Sequence, residues 1–388
     1  MLDTTFLDAS EAAAARWDVS ALAFGFEHGD GTSVLHGAGC DADTRFRIAS
    51  VTKPMTASLA FHLLDLDRAT GVWPEDVRVR HLLSHTSGFD GECGDLARFG
   101  DGDDALAAAV RELPTVKRFA GVDRVWSYAN SGYWLAGLLA AEAAAMTFEE
   151  ALRVHVTEPA RMDATSFDAP ELNGTGPGAT DAAYPRARRP SGGLVSNVPD
   201  LLRFARWQLE SPWTAALRVP LGKPPGGVYG LGFFGERVGG VDVWGHDGSY
   251  GGFQSSLLLI PARDAAFVGL TNSGRGRQAL REIQDVWFEA LLGEGRRSAP
   301  TIDLSPAVLA LFTGRYANPE LDATVTVGGS GLCVELLQTA TGEPLSLTGR
   351  AIGADCFEVV GGDYERDRFD FPLPGFARLG SRLVQRVE

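Results

Sequence analysis

The chain has 388 residues and a formal net charge of −15, from 35 Lys and Arg against 50 Asp and Glu. At about 150 residues per domain, this length allows two or three domains, or one large domain with a small one. Hydrophobic residues make up 45% and charged residues 22%. That balance excludes wholesale disorder, and the acidic charge excludes a dedicated nucleic-acid binder, which needs a basic face. Only Lys53, Lys117 and Lys223 are lysines, so a motif that uses a lysine carries weight here.

The N-terminal run Leu2 to Asp8 has no basic n-region and no long apolar core. It does not read as a signal peptide, and a cytoplasmic protein is expected. Val19 to Glu27, the turn cluster His28 to Thr32, and Ser33 to His36 read as a β-hairpin. From Ser50 to Leu209 the pattern is helical. Ser50–Leu66, Ala105–Arg111, Gly132–Ala145 and Pro199–Leu209 carry apolar residues at helical spacing. The alanine-rich stretch from Trp134 to Met146 is interrupted by Glu142 and reads as a core helix, so no membrane span is expected. Asn173 to Ala179 is Gly-rich but follows no strand, and reads as a loop rather than a dinucleotide fingerprint.

Near Gly227 the pattern turns strand-like, with short β runs at Val241–Trp244, Phe253–Ile260 and Ala266–Thr271. A helix from Gln278 to Leu292 places Ile283, Val286, Trp287 and Leu291 on one face. Strands at both ends of this region enclose helices. The expected fold class is therefore α+β: an antiparallel sheet flanked by helices, with a helical lobe beside it. Gly293 to Pro300 is a linker. After it a period of two sets in, as in Thr324 to Val327 and Leu332 to Leu337, with frequent turns up to Val387. This predicts a small all-β barrel or sandwich. The expected division is residues 1–297 and residues 298–388.

Three short elements carry chemistry. The first is Ser50-Val51-Thr52-Lys53, followed by Pro54. Residues i and i+3 share a helix face, and Pro54 belongs in a first helical turn. Ser50 then sits at a helix start, where free N–H groups favour a developing oxyanion and a neutral amine. Lys53 can deprotonate Ser50. The alternative is a capping serine beside a solvent-facing lysine. The second is Tyr128-Ala129-Asn130, a turn before an apolar helix. Its phenol can pass protons, and its amide can orient a lysine or a substrate. The alternative is a buried Tyr and an Asn cap. The third is His246-Asp247-Gly248-Ser249. Glycines there let a strand edge approach a substrate, and the Ser249 N–H can serve as an oxyanion donor beside that of Ser50. His246 can polarise the site. The alternative is a hairpin turn with a solvated histidine.

The set Ser50-x-x-Lys53, Tyr128-x-Asn130 and His246-x-Gly248 resembles the serine β-lactamase and penicillin-binding-protein superfamily. Within it, the chain is most similar to the class C-like branch with family VIII carboxylesterases, D-aminopeptidases and related peptidases. Val79 to Phe89 (V-R-H-L-L-S-H-T-S-G-F), Ser191 to Ser196 before Asp200-Leu201, and Leu257 to Ser273 extend the resemblance over roughly residues 5–293. The C-terminal segment resembles the lipocalin-like barrels appended to some members. The resemblance implies Ser50 as nucleophile, Lys53 as general base, Tyr128 as proton relay and Asn130 in support. His246 stands where many members have the lysine of K-T-G, which points toward the esterase and peptidase members rather than penicillin-hydrolysing ones.

The expected function is a serine hydrolase that cleaves an ester or amide of a small molecule or peptide through a Ser50 acyl-enzyme. A transacylase or peptide cyclase is the first alternative, and a catalytically silent binding or sensor protein the second. No cofactor is expected, and no nucleic-acid or membrane partner. A homo-oligomer is left open. His81 and His85 are four apart but lack the glutamate of H-E-x-x-H, so no metal is expected there. The four cysteines, Cys40, Cys93, Cys333 and Cys356, are too scattered for a disulfide framework or a zinc site. G-x-S-x-G is absent, which counts against an α/β-hydrolase. Arg186, Arg188 and Arg189 read as a solvated loop, with carboxylate binding as the alternative.

Overall fold

A computed structural model describes residues 2–31, 33–91, 94–338 and 344–387. Thr32 and Cys93 therefore lie outside the described residues. The body is built on an antiparallel sheet. Its strands are β1 (Leu22–His28), β2 (Ser33–Ala38), β5 (Val228–Tyr229), β6 (Phe234–Val238), β7 (Val241–Tyr250), β8 (Phe253–Ile260) and β9 (Ala265–Thr271), in the order β2-β1-β9-β8-β7-β6-β5. The short strands β3 (Phe46–Arg47) and β4 (Val195–Ser196) pair separately. The first and last strands of the body thus lie side by side, β1 on β9, as a sheet made from the two sequence ends requires.

Helix α1 (Leu2–Arg16) and helix α9 (Gly276–Leu292) cover one face of the sheet. Phe24, Phe26, Leu258, Ile260 and Phe267 point into that layer and meet Phe6, Ala279, Ile283 and Trp287. The intervening residues Ala23, Leu257, Leu259 and Val268 point to the other face. Both faces are buried, which is why the second half of β8, Leu257 to Ile260, reads as a continuous apolar run rather than an alternating one. Gly293 ends α9 with φ of 78°, and its N–H donates to the Glu289 carbonyl.

The second face carries the helical lobe. It comprises α2 (Thr52–Leu63), α3 (Val79–Leu83), α4 (Ala105–Val110), α5 (Asn130–Ala144), α6 (Phe148–Leu152), α7 (Arg189–Gly192) and α8 (Val198–Glu210). Local sequence explains its boundaries. Thr147 and Glu150 form a capping box at α6, and the Asn197 side chain accepts from the Asp200 N–H at 3.0 Å to start α8. The helix α1 was not anticipated from the sequence: its apolar positions are mostly alanine, and only Phe6 and Ala13 anchor it fully.

After α10 (Pro306–Leu309), the strands β10 (Gly314–Ala317), β11 (Leu321–Gly328), β12 (Gly331–Gln338), β13 (Pro344–Ala351), β14 (Cys356–Val359), β15 (Arg368–Leu373), β16 (Phe376–Leu379) and β17 (Arg382–Arg386) close into a barrel. Closure removes exposed edges. Phe357, Phe369, Phe371 and Val334 fill its interior. The barrel is fastened to the body by ion pairs. Arg277 of α9 meets Asp367 at 2.8 Å, and Asp285 meets Arg366 at 2.8 Å.

Trp287 is the largest side chain between the sheet and α9, with its ring 5.5 Å from that of Phe267. Trp287→Ala should lower stability by about 3–5 kcal/mol through the cavity it leaves. Urea unfolding read by circular dichroism checks this.

Candidate active site

Ser50 lies in a single 3-10 turn, Ala49–Val51, that leads directly into α2. Ala49 holds φ of 42°, a left-handed conformation that costs a residue with a Cβ some strain. The strain is balanced by anchors on both sides. Ile48 donates to the Leu194 carbonyl at 3.0 Å, and Ser255 Oγ donates to the Ile48 carbonyl at 2.7 Å. Lys53, one helical turn on, has 0% exposure. Its Nζ donates to Ser50 Oγ at 3.1 Å and to the Ser191 carbonyl at 2.6 Å. The same nitrogen lies 4.7 Å from the Tyr128 ring centre and 5.3 Å from that of Tyr133. The lysine is thus inside, beside the serine, and the solvent-facing alternative is set aside.

Ser191 owes its place to α7. Its hydroxyl accepts from Trp134 Nε1 at 2.9 Å and donates to the Arg188 carbonyl at 2.9 Å. A Cβ on the next residue, Gly192, would approach Tyr184 Oη to 2.6 Å. A carbonyl acceptor of this kind leaves no side-chain signature, so sequence reasoning did not assign Ser191 a part.

Tyr128 and Asn130 sit where the chain enters α5, with Ala129 at the N-cap. His246 is in β7, 3% exposed, on the face toward the helical lobe. Its ring is 5.2 Å from Phe234 and 6.0 Å from Tyr128. Its Nδ1 donates to the Asp247 carbonyl at 2.6 Å, so Nε2 carries the lone pair. Burial, and after it the nearby Lys53 charge, lower its pKa to about 3. His246 is therefore a neutral imidazole at ordinary pH and not a solvated one.

Gly248 faces the nucleophile turn. A Cβ there would come 2.3 Å from the Ile48 carbonyl and 3.0 Å from the Ser50 nitrogen. The two-residue turn Gly251-Gly252 makes Tyr250 and Phe253 the closing pair of the hairpin. In the antiparallel alternation Ser249 is then a position whose N–H points away from β8. On that side β6 stops pairing at Phe234–Gly245, which leaves the edge open. The Ser249 side chain turns to the opposite face and accepts from Gln254 Nε2 at 2.8 Å.

The structure also brings in residues that the motifs did not name. His85 is buried, with φ of 59°. Its ring packs 4.4 Å from Tyr128, 4.9 Å from Tyr229 and 5.2 Å from Tyr133. Its Nδ1 accepts from the Ala129 N–H at 3.0 Å. Burial, then the Lys53 charge, hold it well below the usual histidine range. Its partner in the suspected pair, His81, accepts from the Arg78 N–H and faces Asp123 at 3.3 Å. Among the described residues, no group of three His, Cys, Asp or Glu could hold a metal ion, and no helix is long and apolar enough to cross a membrane. Cys40, Cys333 and Cys356 are free thiols.

The arginine cluster departs from its sequence reading. Arg186 and Arg189 both bond Glu149, at 3.0 and 2.6 Å, and Arg188 stacks 5.9 Å from Trp134. Burial works against the Glu149 charge, yet these guanidinium groups hold its carboxyl below the usual range. The cluster is a structural staple beside α7 and not a solvated loop.

The beta-lactamase family model matches residues 11–291. The chain belongs to the beta-lactamase family. It is 28% identical to penicillin-binding protein 4 of Amycolatopsis lactamdurans, over 74% of this chain and 88% of that protein. Its fold is similar to that of SurE with D-Leu, with a TM-score of 0.76 and 24% identity, covering 100% of this chain and 99% of the other. It is also similar to D-amino acid amidase from Ochrobactrum anthropi SV3, with a TM-score of 0.64 and 19% identity, covering 75% of this chain and 99% of that one.

His85 and His246 generate a pH dependence. Both are held neutral in the fold, whereas an unfolded histidine titrates near the ordinary value of 6.5. Stability is intact above that value and falls as pH drops toward the native pKa, by up to about 1.4 kcal/mol per pH unit for each histidine. Melting temperatures from pH 7.5 to 5 should fall accordingly, and His246→Gln should flatten the slope.

Proposed function

We propose that this protein is a serine acyl hydrolase in which Ser50 is acylated by a small ester or amide. The observation that carries the reading is the buried Lys53 amine hydrogen-bonded to Ser50 Oγ. Lys53 in its neutral form takes the Ser50 proton as the Oγ–carbon bond forms. The N–H groups of Ser50 and Ser249 receive the oxyanion, across the close approach that Gly248 permits. Tyr128 gives its phenolic proton to the departing alcohol or amine and recovers one from Lys53. Water then attacks the acyl-enzyme with Tyr128 and Lys53 in the reverse roles. Asn130 helps to hold the substrate. His246 offers a lone pair at Nε2 and an uncharged wall, so a substrate carboxylate finds no cation at that position. This agrees with esters and amides rather than penicillins as substrates. The body, residues 1–297, carries all of these groups, and residues 298–388 form the barrel.

D-configured amides belong in the first screen because the similar structures include a D-amino acid amidase. Transfer of the acyl group to an amine would pass through the same Ser50 intermediate. Product analysis with and without an added amine separates transfer from hydrolysis.

Ser50→Ala should abolish turnover of p-nitrophenyl esters. Lys53→Ala should lower kcat on the order of 10³-fold. Fluorophosphonate should add its mass to Ser50 in the wild type, and labelling of another serine would sink the assignment. Gly248→Ala should lower kcat by about 10²-fold with an unchanged circular dichroism spectrum, because it displaces β7 from the nucleophile turn.

A further inference from the structure

The Tyr128 segment is extended, and its backbone donors have no partners in a helix or sheet. Each is met by another part of the molecule. On one side, Ser127 N–H donates to the His85 carbonyl at 3.0 Å and Ala129 N–H to His85 Nδ1 at 3.0 Å. On the other side three contacts come from the barrel. Tyr128 N–H donates to the Ser381 carbonyl at 3.0 Å, and Ser127 Oγ accepts from the Leu383 N–H at 3.2 Å. Arg378 Nη1 donates to the Trp126 carbonyl at 2.7 Å.

These contacts come from β16, β17 and the turn that joins them. Ser381 holds φ of 72° in that turn, a conformation that costs a non-glycine residue and persists where surroundings impose it. Arg378 is 3% exposed, lies 5.6 Å from the Trp126 ring and is fixed by Asp370, with Nε donating to Oδ1 at 2.8 Å. A second contact, from Nη2 to Asp370 Oδ2, completes a fork. Arg382 reaches over the Tyr128 ring at 5.9 Å while paired with Glu320 at 2.5 Å. A buried ion pair is a poor source of net stability but sets geometry firmly. Here the geometry it sets is that of a catalytic segment about 250 residues away in the chain.

We propose that the barrel is a working part of the active site: Arg378, locked by Asp370, and the Ser381 turn are positioning elements that hold Tyr128 at the angle from which it protonates the leaving group. This rests on the reading of Tyr128 as proton donor. In acylation the Ser50 Oγ–carbon bond forms and the bond from carbon to the leaving oxygen breaks. The Ser50 proton goes to Lys53, and the Tyr128 proton goes to the leaving oxygen. Only the last transfer depends on the barrel. Tyr128 also serves the deacylation that all esters of one acyl group share, so loss of the clamp should fall selectively in kcat/KM, which reports acylation, and there on substrates whose leaving group needs a proton.

The test compares two esters with one acyl group, p-nitrophenyl butyrate and ethyl butyrate, on the full chain. The nitrophenolate leaves without a proton, and the ethoxide does not. In Arg378→Met with Asp370→Leu, which removes both buried charges together, kcat/KM for the ethyl ester should fall about 10²-fold. For the p-nitrophenyl ester kcat/KM should stay within about fivefold, and fluorophosphonate labelling of Ser50 should persist. Ser127→Ala keeps every charge and folds independently of that swap. It should shift the ratio of the two rates in the same direction, by about fivefold. A rate ratio equal to the wild-type value in either folded variant overturns the proposal. Failure of the underlying reading looks different: the wild type itself would then take no label at Ser50.

Discussion

The arrangement depends on one buried amine. Lys53 gives up its hydration entirely, and that is tolerable only where polar partners replace water. It has Ser50 Oγ on one side and the Ser191 carbonyl on the other, with the faces of Tyr128 and Tyr133 around it. These partners come from three elements: the turn before α2, the helix α7, and the entry and first turn of α5. Fixing the amine therefore fixes how three parts of the helical lobe meet. The sheet joins them through Gly248 and Ser255, which bring β7 and β8 against the same turn. The Glu149 staple steadies α7 from behind through Arg186 and Arg189.

The wall opposite is aromatic and uncharged. His85, Phe234 and His246 pack against Tyr128, with Tyr229 behind them against His85 and Phe234, and exclude water from one flank. The two histidines are neutral for the same reason, which is burial first and, whenever Lys53 is protonated, its charge second. A dry flank strengthens the electrostatics of the nucleophile pair. In the proposed mechanism it leaves the proton traffic to Lys53 and Tyr128, since neither imidazole gains a proton near neutral pH. The barrel reaches this same flank through Arg378 and Ser381, so the sheet, lobe and barrel converge on one tyrosine.

Much of this was legible in the sequence. Lysine scarcity singled out Lys53, and the S-x-x-K spacing placed it one turn from Ser50. Pro54 marked the helix start, and α2 begins at Thr52 as that proline requires. Period-two alternation announced the barrel, which closes with all its strands antiparallel. What stayed hidden has physical causes. Ser191 acts through a main-chain carbonyl, which any residue could supply. His85 entered the sequence reading only through its spacing from His81, which was set aside as a metal site, and no local pattern shows that its ring turns inward to the Ala129 N–H. Arg378 meets Trp126 across a long stretch of chain, and no local pattern encodes such a contact. Asp247 and Ser249 alternate to the far face of β7, so of the H-D-G-S motif only His246 turns a side chain toward the Ser50 turn, while Gly248 lets the backbone approach it. The arginine cluster looked solvated because its partner, Glu149, lies in another helix.

The central claim is that Ser50 carries the acyl group while the Ser50 and Ser249 N–H groups hold its oxygen. A crystal structure of the protein trapped with a slowly hydrolysed ester or a phosphonate tests it most directly. The account predicts continuous density from Ser50 Oγ to the acyl carbon or phosphorus, with one oxygen within hydrogen-bond distance of both N–H groups and Lys53 Nζ still beside Oγ. Density on any other residue, or an oxygen turned away from the β7 edge, would contradict it.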